Sequence, residues 1–142
     1  MTISLYKENG SGAHIEFYPK VVSTEFAFND LVYVDANGYL TPAIDGANIV
    51  PVGLIQKTIA STDSDYATAT RVPVLVAGPD AEYLCDVSTG SAAQTDVGEH
   101  IDIDDANSVD VSASTYDLFY VTDIISSSKV IAKLNKKFGT TA

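Results

Sequence analysis

Residues 31–77 alternate β-branched and aromatic runs with tight turns, a pattern that leaves little room for anything but antiparallel β-structure. Leu31-Val32-Tyr33-Val34 is built from strand formers. Asp35-Ala36-Asn37-Gly38 ends in the Asn-Gly pair that favours a tight reversal, and Tyr39-Leu40-Thr41 returns until Pro42 stops it. The spacing predicts a β-hairpin. After the turn-rich Ile44-Asp45-Gly46-Ala47-Asn48, the run Ile49-Val50-Pro51-Val52-Gly53-Leu54-Ile55 is apolar at nearly every position, as a strand covered on both faces should be. Pro51 gives no amide to a ladder, and a strand glycine such as Gly53 marks a bulge or a close backbone approach, so an edge or bulged strand is expected. The loop Ser61-Thr62-Asp63-Ser64-Asp65 leads to a second apolar strand, Arg71-Val72-Pro73-Val74-Leu75-Val76-Ala77, closed by Gly78-Pro79-Asp80.

The flanking sequence continues in the same manner. Residues 3–7 and 14–18 surround Glu8-Asn9-Gly10-Ser11-Gly12, which predicts an N-terminal hairpin with a flexible tip. Residues 21–28 and 97–103 read as further strands, and Asp105-Ala106-Asn107-Ser108 as a turn before Val109-Asp110-Val111. Residues 116–125 and 129–134, joined by Ser126-Ser127-Ser128, form a late hairpin. Its first strand alternates Phe119, Val121 and Ile125 with Leu118, Tyr120 and Ile124, which predicts burial on both sides. The spacing of Val130-Ile131-Ala132-Lys133-Leu134 also fits the start of a short helix. No long amphipathic helix is present in the pattern. A chain of 142 residues suits one domain, burying roughly two-thirds of its unfolded surface. The expected architecture is therefore all-β, a small single-domain β-barrel or sandwich with little helix. An N-terminal hairpin or arm spans 1–20, the main domain 21–138 and a flexible tail 139–142.

Charge narrows the function classes. The net charge of −11 argues against nucleic-acid binding, which needs clustered Lys and Arg to neutralise phosphates. Between residues 58 and 128 there are thirteen acids and a single base, Arg71, whereas Lys129, Lys133, Lys136 and Lys137 crowd the C-terminal end. Acids on a solvated surface aid solubility. Alternatively, the acidic middle faces solvent while the basic termini meet a partner of less negative or opposite charge. Arg71, alone among carboxylates, is expected in a bidentate pair across strands or subunits. No run approaches the roughly 18 apolar residues of a membrane span, and the first residues lack a signal peptide's apolar core. Synthesis in a cytoplasm, without membrane association, is expected.

Candidate chemistry is sparse. Cys85, the one cysteine, alternates with Tyr83 and Val87 and is expected to point inward as a small apolar residue. His14 shares a strand face with Glu16 and Tyr18, opposite Ile15 and Phe17, as a surface histidine would. His100 and Asp102 are spaced so that the acid can orient a general base, with Ile101 and Ile103 inward, but no serine or cysteine is placed as a nucleophile. The acidic stretch starting at Asp102 fails the EF-hand pattern, because Asn107 stands where glycine is required and no Glu follows at the twelfth position. No catalytic residue, metal or cofactor is expected. The same holds for Asp63 and Asp65, which read as a solvated acidic turn.

One stretch carries a resemblance. "LVYVDANGYLTPAIDGANIVPVGLIQKTIASTDSDYATATRVPVLVAGPDAEYLCDV", residues 31–87, resembles the small capsid decoration, or head-stabilising, proteins of tailed bacteriophages. The likeness lies in a hairpin of the form V-x-V-x-x-x-G-Y-L-x-P-A, then V-G-L, a T-D-S-D-Y-A-T loop and an apolar strand leading to D-V. It implies an all-β protein present in many copies on the outer capsid surface of the virion, commonly as trimers, bound to the major capsid protein and carrying no catalytic residue. Eight tyrosines would then serve core and subunit interfaces, where aromatics are favoured. The expected docking surface is the N-terminal segment with the lysine-rich end: Lys7, Tyr18, Lys20, Lys129, Lys133, Lys136 and Lys137. Deleting residues 1–20 is expected to abolish capsid binding and leave a folded domain. The alternative is a phage-fibre or surface module that binds a glycan or receptor through exposed tyrosines.

Overall fold

Period-two patterning and short turns produce strands throughout the structure, a computed structural model that describes residues 1–10, 12–47 and 49–135. In chain order these are β1 (Ile3–Lys7), β2 (His14–Pro19), β3 (Leu31–Val34), β4 (Leu40–Pro42), β5 (Pro51–Ile55), β6 (Arg71–Val76), β7 (Glu82–Thr89), β8 (His100–Asp105), β9 (Ser108–Asp110), β10 (Phe119–Ser126) and β11 (Lys129–Leu134). A single 3₁₀ turn, Gln94–Asp96, precedes β8. The chain is all-β. Among the described residues no helix is long and apolar enough to cross a membrane.

The strands form two sheets. In the first, the order β1-β7-β11-β10-β8-β9 closes because β9 returns to pair in parallel with β7, giving a five-stranded barrel with β1 as an extra strand. β7 is the organiser. Along one side it pairs with β11, and along the other with β1 near Cys85 and then with β9 at Val87. Its inward residues Tyr83, Cys85 and Val87 are buried, and its outward ones are half-buried.

The second sheet runs β2-β6-β5-β3-β4. It is drawn round on itself by a parallel bridge between Lys20 and Leu40, where the Val21 N–H donates to the Leu40 carbonyl at 2.9 Å. The hairpin of β3 and β4 forms as its sequence predicts. The Asp35 carboxylate accepts the N–H groups of Asn37 and Tyr39 at 2.9 and 3.0 Å, and Gly38 takes the left-handed φ of 86° that the reversal requires.

Each face of the second sheet meets its own core. Leu31 and Leu54 turn towards the barrel, joining Ile3, Tyr83, Phe119 and Val130. Val32, Val52 and Ile55 turn the other way and pack with Phe26, Ile59, Val72 and Val74. Two-sided burial explains why all five residues of β5 are buried. β5 is not an edge, however: it lies between β6 and β3, and Pro51 is tolerated as the strand's first residue. The expected bulge is on β5 itself: Val32 pairs with Gly53 and Tyr33 with Pro51, so Val52 is the extra residue between them. The close approach expected at Gly53 is present, since a Cβ there would lie 2.1 Å from the Leu75 carbonyl oxygen.

Several expectations need correction. β1 and β2 do not form a hairpin; β1 pairs with β7 in the barrel and β2 with β6 in the second sheet. The glycine-rich segment between them carries the chain from one sheet to the other, pinned where the Asn9 amide donates to the Asp80 carbonyl and the Glu82 carboxylate at 2.9 and 2.8 Å. Because Ile3 is fully buried, removing residues 1–20 would open the barrel core and strip a strand from each sheet, so a folded remainder is not expected. Residues 21–28 make turns, with Ser23 at φ 52°, and only Phe26 bridges to Ile59 to plug the second core. Gly98, at φ 89°, delays the next strand to His100. The 130–134 segment is strand rather than helix because two ladders, with β10 and β7, claim it. Burial of β10 on both sides fails at its far end, where register shifts leave Ile125 exposed. The tail at 139–142 lies outside the described residues.

Candidate partner-binding surface

Residues in register on neighbouring strands share a face of the sheet. The ladders of the barrel therefore place Lys7, Glu82, Lys133, Tyr120 and His100 in one row across five strands, on the face opposite the buried Tyr83, Ala132 and Ile101. Lys7 and Lys133 are both in register with Glu82, one on each side, but among the described residues neither forms an ion pair with its carboxylate. That carboxylate accepts the Asn9 amide and, at 3.3 Å, the Thr122 hydroxyl. The Lys7 ammonium sits 5.5 Å from the centre of the Tyr6 ring. At the other end of the row His100 and Tyr120 meet edge to face, 6.2 Å between centroids. Lysines, an acid, the half-buried Tyr120 and the exposed His100 in one row have the polar, solvent-accessible make-up of an interface rim.

The remaining residues anticipated from charge are dispersed. Lys129 pairs with Asp86, which also accepts the Thr2 N–H at 2.9 Å. The Lys129 hydrogen bond, then the Thr2 amide, hold the Asp86 carboxyl below its ordinary value against some burial. Tyr18 is half-buried, its hydroxyl donating to Glu16 at 2.8 Å. Burial and then Glu16 push its pKa up to about 12. Lys20 is a correction: it is wholly buried where the second sheet closes, and its ammonium donates to the Tyr66 carbonyl at 2.8 Å. Burial lowers its pKa, with Asp65 opposing. An internal cation that ties the 61–68 loop to the closing point is not available for docking. Lys136 and Lys137 lie outside the described residues.

Other sequence candidates resolve into local structure. Cys85 is fully buried and burial pushes its thiol pKa strongly up, so it packs as an apolar residue. Asp102 does not point outward beside His100 as alternation predicts. It is 1% exposed, and its carboxylate accepts the N–H groups of Thr115, Tyr116 and Asp117 at 2.8–2.9 Å. That fixes the loop before β10 and commits the acid to holding backbone rather than orienting His100. Asp104 accepts the Ser88 hydroxyl at 2.7 Å, and Asp105 the Asn107 N–H and Ser108 hydroxyl. Among the described residues no group of three or more His, Cys, Asp or Glu is arranged to hold a metal ion. Arg71 makes no carboxylate pair among the described residues; its guanidinium reaches the Phe17 carbonyl at 3.4 Å. Asp65, near enough in sequence to invite that pair, is taken by Lys57 at 2.7 Å.

One surface escaped the sequence reading. Ile15 and Phe17, expected opposite a solvated His14 face, are themselves 47% and 57% exposed, so β2 shows solvent on both sides. Only the exposed end of an alternating strand, seen in three dimensions, reveals this. No protein-family model matches the chain, and no curated protein matches it.

Proposed function

We propose that the protein is a structural virion component that decorates the outer surface of a bacteriophage capsid and stabilises it by bridging subunits of the major capsid protein, attaching as a homo-oligomer with a trimer favoured. The observation that carries this reading is the outward row Lys7, Glu82, Lys133, Tyr120 and His100, a broad contact strip displayed by a rigid closed barrel. It is supported by the resemblance in residues 31–87, the stretch that supplies β3 to β6 and most of β7 and so spans both sheets. A protein of this kind works by binding the assembled shell better than free subunits. Whatever binds one state selectively stabilises that state by mass action, and a symmetric oligomer multiplies weak single contacts.

Co-sedimentation tests the reading. The protein should pellet with intact heads at a fixed copy number per capsid subunit. Replacing Lys7 and Lys133 together by Glu should weaken attachment and flatten its dependence on salt. Protein that stays in the supernatant with heads present overturns the proposal.

A second reading rests on Tyr39, 40% exposed at the rim of a cleft of about 300 Å³ that Asp35 and Asn37 also line. An aromatic face beside an acid and an amide is the chemistry of a glycan-binding module. Glycan-array binding that is lost in Tyr39→Ala, together with no co-sedimentation, would favour it.

A further inference from the structure

β2 ends in an open sheet edge, and the direction of its backbone groups can be read from its neighbour. The Pro73 carbonyl accepts the Gln56 N–H at 2.8 Å, so the polar backbone groups of Pro73 face β5. In an antiparallel ladder a residue's N–H and C=O point to the same side, and successive residues alternate. Val72, Val74 and Val76 therefore face β2 and meet Tyr18, Glu16 and His14. Ile15 and Phe17 then turn their N–H and C=O groups away from the sheet. Further along, the same outward side is used up: Val21 donates to Leu40, and Pro19 has no N–H to give. β4 is only three residues long and covers nothing beyond that bridge. An edge with exposed apolar side chains and unpaired backbone is a template for another strand.

We infer that this edge pairs with the same edge of a second copy, antiparallel about a two-fold axis through Ile15. In that register each Ile15 N–H meets the other copy's Ile15 carbonyl. Each Phe17 N–H meets the other copy's Ala13 carbonyl, leaving the Ala13 N–H on Glu8 and the Phe17 carbonyl on Arg71 undisturbed. His14 of one copy then stands opposite Glu16 of the other, twice, at non-hydrogen-bonded positions where side chains approach most closely. Within one chain these two side chains already lie 3.0 Å apart and both are about half exposed. The register is self-complementary, as a two-fold interface must be. Its neighbours are not: centring on Glu16 sets like charges face to face, and centring on Phe17 sets Ile15 against Pro19, which cannot donate. The inference concerns the isolated chain and stands apart from what the protein decorates.

Analytical ultracentrifugation of the full chain over a concentration series tests it. The wild type should associate to dimers or to assemblies of dimers. Ile15→Pro removes an N–H that the ladder to β6 does not use, so it should keep the fold, checked by circular dichroism and thermal melting, and weaken association by at least roughly tenfold. His14→Glu should do the same by placing Glu opposite Glu, and His14→Glu combined with Glu16→His should restore association. A wild type that stays monomeric overturns the inference, as does association that Ile15→Pro leaves intact. A trimer indifferent to both changes would overturn it too, while leaving the capsid reading standing. Dimers that respond as described but fail to pellet with heads would do the reverse.

Discussion

β5 and β2 belong to one sheet, with only β6 between them; yet β5 is buried at every position and β2 is exposed at its first four. Composition alone does not separate them: β2 carries His14 and Glu16 where β5 is apolar throughout, but its apolar Ile15 and Phe17 are exposed as well. Position in the ladder does, because β5 has a full neighbour on each side and a separate core against each face, whereas β2 has one full neighbour and outruns the short β4. Apolar strand residues are thus core in one setting and a contact edge in the other.

Substitutions in the two strands test that contrast. The largest effect belongs to Gly53→Ala. The new Cβ would meet the backbone oxygen of Leu75, which has no side-chain freedom to retreat, so a loss of about 4 kcal/mol or an unfolded chain is expected in urea denaturation. A near-neutral result would mean that β5 and β6 can part without cost, and the contrast would fall.

Ile55→Ala comes next, at about 3 kcal/mol for a wholly buried side chain in the second core. Between the two extremes stands Asp86, on the outer face of β7. Its folded pKa lies below the ordinary 3.8, so its contribution is present above about pH 4 and is lost as pH falls through the folded value. Asp86→Asn should therefore cost about 1 kcal/mol at pH 7 and progressively less as the pH falls below the ordinary carboxylate range. Asp30 and Asp45, whose pKa values burial raises, oppose this trend in the wild type, so the difference between the two proteins is the quantity to follow. The smallest effect belongs to Ile15→Ala, within about 0.5 kcal/mol for the exposed edge. A cost approaching that of Ile55→Ala would show that β2 is packed after all.

The elements that could be read in advance are those whose partners lie close by in sequence. The β3–β4 hairpin follows from Asp35, Asn37 and Gly38, and the β10–β11 hairpin from its serine turn, because the groups that decide each reversal sit within it. β1 and β2 look just as much like a hairpin, but their pairing is decided by β7 and β6, far away in sequence, and nothing between Glu8 and Ala13 announces a crossing. Lys20 was legible as a cation and not as a buried one, since burial comes from the closing contact with Leu40. Charge alone singled out Lys7 and Lys133. Their common register with Glu82 depends on how both strands lie against β7.

β7's three partners also set the order in which the molecule can come together. The hairpin of β3 and β4 and its neighbours β5 and β6 can pair as soon as they exist, since all four are contiguous in the chain and the longest connection between them is residues 56–70. β1 must wait for β7, and the barrel cannot close until β8 to β11 have arrived on the far side. Non-local pairing of this kind pays for loop closure before it gains any contact, and such topologies fold in milliseconds to seconds rather than microseconds. In refolding, the β3–β6 part of the second sheet should form in an early phase, with β2 joining later, and protection of the Cys85 and Val130 amides should appear only in the last one.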